Sequence, residues 1–434
     1  MPEMKDSGIE WIGTIPNNWN VGRIKDILAV LTDYTANGSF GDLAKNVNYL
    51  DYEGYARLVR LTDLREDLQN DDGVYVSEYS YNYLAKSSLF GNEILVANVG
   101  AYAGLFCIMP ENKGICTLGP NMFLIRTKES MLAKYLYYMG RSNAVWEQLR
   151  QKSVATAQPK LNKTDIKNIY LCIPPVDEQN RIVRFLDNKS NEIDELISDI
   201  KSEIETLEKY KKSTITESVT KGLNRDVRQK DSGVQWIGVI PQHWECVKGK
   251  YILRYLQKPV REDDGVITCF RDGEVTLRSN RREDGFTMSD KEIGYQGIDV
   301  GDLVVHGMDG FAGSIGISDS RGKASPVLNV LDTDMDKKYV MYYLRSMAYS
   351  DVFLALATGI RVRSCDLRWN KLAELLYPVP PKEEQIAISK YIDKTIEETN
   401  KIIELKKQQL ETLDEYKKSL IYEYVTGKKE VPNI

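Results

Sequence analysis

The groups that could do covalent or metal chemistry in this chain are few and scattered. Its 434 residues hold two histidines, His243 and His306, and six cysteines, Cys107, Cys116, Cys172, Cys246, Cys269 and Cys365, with no CxxC pair among them. A Cys/His zinc site needs ligands at short, fixed spacings, so none is expected, and reduced, mostly buried thiols are. The chain has no GxxxxGK[ST] loop for a nucleotide phosphate, no GxGxxG after a strand and no GxSxG elbow for a nucleophilic serine. The tetrapeptide of adenine methyltransferases, Asn or Asp followed by Pro-Pro and an aromatic, is missing too, because the proline pairs read IPPV and VPPK. Glu404-Leu405-Lys406 has the composition of a nuclease fragment but falls inside a helical pattern, where it makes a solvated face. The expectation is a binder with no catalytic residue, metal or cofactor of its own.

What the sequence does offer is local groups for holding a polyanion. The net charge is only -5, with 58 basic against 63 acidic residues, so affinity for nucleic acid has to come from patches. Residues 358–371, TGIRVRSCDLRWNK, place Arg361, Arg363, Arg368 and Lys371 around one acid, and RSNRR at 278–282 adds Arg278, Arg281 and Arg282. The stretch from 152 offers Lys152, Lys160, Lys163 and Lys167, with Thr156, Gln158 and Asn162 between them. Lysine and arginine suit phosphate oxygens, while Gln158, Asn162, Arg361 and Arg363 have the forked geometry that reads purine edges. Two glycine loops, NVGAYAG at 98–104 and GMDGFAG at 307–313, add Asn98, Tyr102 and the preceding His306 as candidate loop contacts. Glycine there either lets DNA approach the backbone or simply closes a hairpin.

These clusters sit at matching places in an internal repeat. KDSGIEWIGTIPNNW at 5–19 and KDSGVQWIGVIPQHW at 230–244 are identical at ten of fifteen positions. A second pair runs from PPVDEQNRIVRFLD at 174 through KYKKS, and from PPKEEQIAISKYID at 380 through EYKKS. Between them lie inserts of 154 residues (20–173) and 135 residues (245–379), which share only faint echoes. A repeated framework carrying two different reading modules is the inference. The expected domains are a framework motif at 1–19, a recognition domain at 20–173, a central framework at 174–229, the repeated motif at 230–244, a second recognition domain at 245–379 and a C-terminal framework at 380–434.

The elements that position the modules are readable in outline. After Pro174-Pro175, apolar residues at Ile182, Leu186, Ile193, Leu196, Ile200, Leu207 and Tyr210, with Lys189 and Glu203 in the gaps, predict a long helix packed on another helix. The second copy repeats this more weakly through Ile388, Ile392, Thr395, Thr399, Ile402, Leu410, Leu413, Tyr416 and Leu420. A helix over 177–220 is roughly 66 Å long at about 1.5 Å per residue, a spacer as well as a core. The inserts read as α+β globules with short strands near 55–61, 93–98, 303–306 and 314–317 and helical stretches near 131–150 and 337–356. Trp11, Trp19, Trp236 and Trp244 look like clamps fixing each module to the helices, and Glu178, Gln179, Glu384 and Gln385 open those helices as framework or partner-docking residues. With no apolar run long enough to cross a bilayer and no export signal in MPEMKDSG, a cytoplasmic protein is expected.

In WIGxIPxxW, in PPxxEQ at 174–179 and 380–385, in KYKKS and EYKKS, and in the two variable inserts, the chain resembles the specificity subunits of type I restriction-modification systems over essentially its full length. The resemblance implies an α+β architecture: two α/β target-recognition domains separated by a long antiparallel two-helix coiled coil, with a pseudo-twofold repeat. It implies that the chain is non-catalytic, reads a bipartite asymmetric double-stranded DNA target and docks two modification (methyltransferase) subunits and restriction (ATPase/nuclease) subunits. S-adenosylmethionine, ATP and Mg²⁺ are then expected on those partners and not on this chain, and no membrane is involved. The rival from another class is a protein-binding scaffold with two recognition modules and no salt-sensitive DNA binding; a single-chain nuclease or methyltransferase would instead act on DNA alone.

Overall fold

In the computed structural model of the chain, the described residues are 3–64, 68–70, 72–153, 159–281, 293–355 and 367–432. The chain divides into two compact units, one made of 1–199 with 408–434 and the other of 200–407. The division cuts across both long framework helices, so each unit holds one framework motif, one insert and half of each helix.

In the first unit the strands are β1 (Asn20–Arg23), β2 (Leu28–Asp33), β3 (Tyr49–Leu50), β4 (Ala56–Val59), β5 (Val74–Val76), β6 (Ser88–Leu89), β7 (Ile94–Ala97), β8 (Phe106–Ile108), β9 (Cys116–Leu118) and β10 (Met122–Thr127). They form a four-stranded antiparallel sheet in the order β8-β7-β10-β2 and a five-stranded sheet in the order β3-β5-β4-β9-β6. Helices α1 (Ala133–Gly140), α2 (Asn143–Ser153) and α3 (Lys163–Lys167) follow, and β11 (Tyr170–Ile173) pairs with β1 before α4 (Val176–Lys221) begins.

The second unit repeats the plan in shorter form. Strand β12 (Glu245–Lys248) pairs with β17 (Leu376–Val379), as β1 does with β11. Its four-stranded sheet runs in the order of β13 (Leu253–Tyr255), β16 (Leu328–Thr333), β14 (Leu303–His306) and β15 (Ile315–Ile317). That is the order of β2, β10, β7 and β8, so two inserts with few shared residues share a sheet. Helices α5 (Lys337–Tyr349) and α6 (Trp369–Leu372) precede α7 (Lys382–Val425). Apolar strand residues drive this pattern: Ile94, Leu95, Val96 and Ala97 in β7 and Leu303, Val304 and Val305 in β14 are all fully buried, which period-two alternation alone would not give.

Helices α4 and α7 are 46 and 44 residues long and antiparallel within each unit. In the second unit Glu203 pairs with Lys406 and Lys211 with Asn400; in the first Asp194 pairs with Lys417. The buried stripe differs from the expected seam by one residue at alternate steps. It runs through Leu186, Ser190, Ile193, Ile197, Ile200, Ile204, Leu207 and Lys211, leaving Leu196 and Tyr210 half exposed at 51% and 50%. On α7, Ile403 is buried where Ile402 was expected, and Tyr416 is 53% exposed. Both heptad phases fit the apolar positions of α4, and the one chosen lets Lys211 lay its stem on the stripe while its ammonium reaches Asn400. Thr399 lies in the seam as expected, 4% exposed.

Trp19 and Trp244 each pack on the end of a long helix. Trp244 is fully buried with Ile215, Val219, Ile388 and Ile392, and Trp19 with Ile182, Leu186, Ile421 and Val425. Gly222 (φ +72°) and Gly427 (φ +69°) end the helices in the left-handed region. A side chain at either would run into the adjacent tryptophan and proline rings, so both conformation and space require glycine there. Tyr135 of α1 donates to the Val425 carbonyl at 2.9 Å, and Tyr339 of α5 to that of Val219 at 3.0 Å, the same contact in each unit.

Candidate nucleic-acid interface

In each unit the fold brings together the two sequence clusters that read as DNA contacts. In the first unit the loop after β7 pairs with the segment before α3: the Leu161 amide donates to the Asn98 carbonyl at 2.8 Å, and the Gly100 amide to that of Pro159 at 3.0 Å. In the second unit the Leu367 amide donates to the Gly307 carbonyl at 2.9 Å. Buried Asn329 of β16 locks that junction, its Nδ2 donating to Val305 at 3.2 Å and Leu367 at 2.9 Å. Asn329 was not singled out from sequence, although a lone amide inside the apolar run VLNVL was the available signal.

The glycines in these loops are largely packing residues. A side chain at Gly104 (φ +93°) would press on Leu149, one at Gly310 on Leu367, and one at Gly313 (φ +97°) on the Arg271 carbonyl. Only at Gly100 (φ +76°) does the space stay open. Packing and positive φ therefore account for most of them, and Gly100 alone leaves open space beside the backbone.

The candidate side chains fall into two groups. Lys152 and Lys160 are exposed and have no ion-pair partner among the described residues, while Tyr102 is 46% exposed on the loop. Arg368 and Lys371 are exposed at the start of α6. Tyr102 and Arg368 also have partners within the chain, as do several other candidates. Asn162 caps α3, its Oδ1 accepting from the Thr164 and Asp165 amides at 2.8 and 3.0 Å, and Lys163 pairs with Asp33 at 3.0 Å. Arg281 pairs with Asp272 at 2.8 Å and Glu274 at 3.2 Å and lies over the Phe270 ring, and Arg278 donates to Thr268 at 3.3 Å. His306 accepts from the Met308 and Asp309 amides through Nδ1, at 3.2 and 2.9 Å, and burial holds its pKa below the usual imidazole value. A neutral imidazole shaping the loop is the role this geometry gives His306. Thr156, Gln158, Arg282, Arg361 and Arg363 lie outside the described residues.

Several of the framework candidates are tied into the fold. Gln179 donates to the Ser130 and Pro174 carbonyls and accepts from the Leu132 amide, tying the start of α4 to the start of α1. Gln385 does the same between α7 and α5 through Pro380 and Asp336. Glu384 accepts from Trp244 Nε1 at 2.9 Å and meets His243 Nε2 at 2.7 Å, whereas buried Trp19 Nε1 has no partner among the described residues. Trp11, Trp236 and Glu178 are half buried.

Among the described residues no three His, Cys, Asp or Glu side chains gather as a metal-ligand set, and no helix is long and apolar enough to cross a membrane. Burial pushes the thiols of Cys116, Cys172 and Cys269 up to about 11, about 12 and about 12, out of the range of useful nucleophiles. Among the described residues the arrangement offers exposed cations and an aromatic hydroxyl.

Residues 16–206 match the family described as the type I restriction modification DNA specificity domain. Two proteins of Methanocaldococcus jannaschii align over 97% of the chain: the type I restriction enzyme MjaVIII specificity subunit, at 25% identity over 95% of its length, and the protein assigned as the MjaX specificity subunit, at 26% over 96%. Among solved structures, the HsdS subunit from Thermoanaerobacter tengcongensis is similar over 96% of this chain and 98% of its own, with a TM-score of 0.52 at 14% identity. A chain from a study of type I R-M complex assembly and conformational transition reaches 0.66 at 14% identity, over 96% and 99%. At that identity the structures speak to the fold.

Proposed function

We propose that the chain is a specificity subunit of a type I restriction-modification system, as its similarity to that family supports, that its two inserts each read one half of a bipartite, asymmetric double-stranded DNA target, and that its helical framework docks the modification and restriction subunits. The observation that carries the reading is the repeated junction of glycine loop and pre-helix segment, built the same way in both units and lined with different side chains. A shared scaffold with unlike surfaces suits two unlike half-sites, and on this reading the repeated framework sets half-site centres about one duplex turn apart, roughly 10 bp.

Lys152, Lys160, Arg368 and Lys371 hold phosphates and Tyr102 faces the groove, while Asn98, whose Oδ1 is buried, shapes the loop. Thr156, Gln158, Arg361 and Arg363 are the base-reading candidates, on their side-chain geometry. Asn162, Lys163, Arg278, Arg281 and His306 shape the surface from within. The chain contributes position and not chemistry: two modification subunits carry S-adenosylmethionine and extrude the target adenine, since its N6 is out of reach inside the stack. ATP and Mg²⁺ belong to the restriction subunits.

Anisotropy titrations on duplex DNA, with and without modification subunit, test this. Binding falls steeply between 50 and 200 mM KCl, and Lys160→Ala or Lys371→Ala each lowers the salt slope by about one. Binding indifferent to salt, or slopes unchanged in both variants, overturns the assignment.

A further inference from the structure

The repeat permits a comparison of the chain with itself. YKKS at 210–213 aligns with YKKS at 416–419, which sets Ser218 opposite Tyr424; the PPxxEQ alignment sets Tyr391 opposite Phe185. In the first unit the rings of Phe185 and Tyr424 lie 4.4 Å apart, and Tyr424 is 6% exposed. That repeat fills the place beside its helix-start aromatic with its own side chain.

In the second unit serine supplies no ring. Tyr391 stays 43% exposed, and with Tyr210 (50%), Leu223 (42%) and Val239 (44%) it borders an open cleft of ≈550 Å³ that Ser218 also lines. Single exposed apolar residues are ordinary, and here four border one cleft. The charge at its rim is unbalanced: Lys221, at 3.9 Å, and Arg225, at 3.4 Å, share one carboxylate, Glu217.

We propose that this cleft receives an aromatic side chain with a neighbouring carboxylate from a modification subunit, the ring seated on Tyr391 as Tyr424 is seated on Phe185. The proposal rests on the assembly role given above and adds that the two framework sites are unequal: the second unit has an open socket, and the first has closed its own. Tyr424 is the template for the ring, and the surplus cation among Lys221, Arg225 and Glu217 is the reason for the carboxylate. An aromatic seated in a desolvated pocket is the kind of anchor that dominates an interface.

Titration of the purified full chain with purified modification subunit, followed by calorimetry and analytical ultracentrifugation, is the test. Wild type gives two binding steps. Ser218→Tyr, which supplies the missing ring, weakens one step at least tenfold and leaves the other; Ser218→Ala changes neither. Tyr391→Ala and Lys221→Glu, both at solvent-exposed positions, weaken the same step, so the outcome does not depend on how Ser218→Tyr folds. Equal binding by Ser218→Tyr and Tyr391→Ala at both steps overturns the socket and leaves the assembly role standing. Self-association of the free chain that Ser218→Tyr abolishes also overturns it, assigning the cleft to a second copy. Failure of wild type to bind modification subunit at all removes the assembly role and the socket with it.

Discussion

Arg321 shows how individual charges hold the second unit's insert in shape. It donates to Asp264 at 3.0 and 2.9 Å and also pairs with Asp299, which Lys258 approaches at 2.8 Å. Lys258 and Arg321 hold the Asp299 carboxyl down to about 2, and Arg321 holds that of Asp264 below the usual range. A carboxyl depressed in the folded state adds stability that is fully present above its unfolded value, about 3.9, and is lost as pH falls through the folded one. Chemical denaturation of the full chain should therefore show the second unit weakening between about pH 4 and 2. Arg321→Ala should cost about 1–3 kcal/mol at pH 7, because Asp264 loses its charged partner and keeps only the Arg261 amide, and should flatten that acid limb. An acid limb as steep as wild type would exclude the pair as its source. None of these partners was legible in sequence, since Arg321 lies 57 residues from Asp264 and no local pattern joins them. Asn162 and Lys163 were legible as polar residues in the right segment but not as residues already engaged, because a cap and an ion pair depend on how the chain turns.

At the scale of elements, the starts of the two long helices are where framework and module are fastened. Proline pairs and acidic first turns announced those starts, and the observed Val176–Lys221 lies within a residue of the expected 177–220 at either end. The seam was legible as a period and not as a phase: two stripes one residue apart are both apolar enough on α4, and the choice is made by the facing helix, which sequence periodicity does not contain. Buried Gln385 donates to Pro380 and accepts from Asp336. Gln385→Ala leaves both groups without it in a dry junction and should lower the stability of the second unit by about 1–3 kcal/mol, read as a drop in the urea midpoint with unchanged m-value. Gln179→Ala should act alike on the first unit. An unchanged midpoint in both would mean that the glutamines are not the fasteners. The strands at Ala56–Val59, Ile94–Ala97, Leu303–His306 and Ile315–Ile317 fall within the β-rich runs expected from sequence, but their order came from long-range pairing that no local signal encodes.

For the whole molecule, the duplication is the fact from which the rest proceeds, and it was the most legible feature because ten identities in fifteen residues survive while the inserts have drifted. The structure adds that the drifted inserts keep one sheet order and one loop junction, so recognition has diverged on a fixed support. The account's central claim is that each module reads its half-site independently. Its most direct test is to replace residues 245–379 with the corresponding insert of another specificity subunit and map adenine methylation across the genome of a host carrying the hybrid and its modification subunit. The account predicts that one half-site changes while the other half-site and their spacing stay as in wild type. A hybrid that methylates with both half-sites altered, or with neither altered, contradicts it.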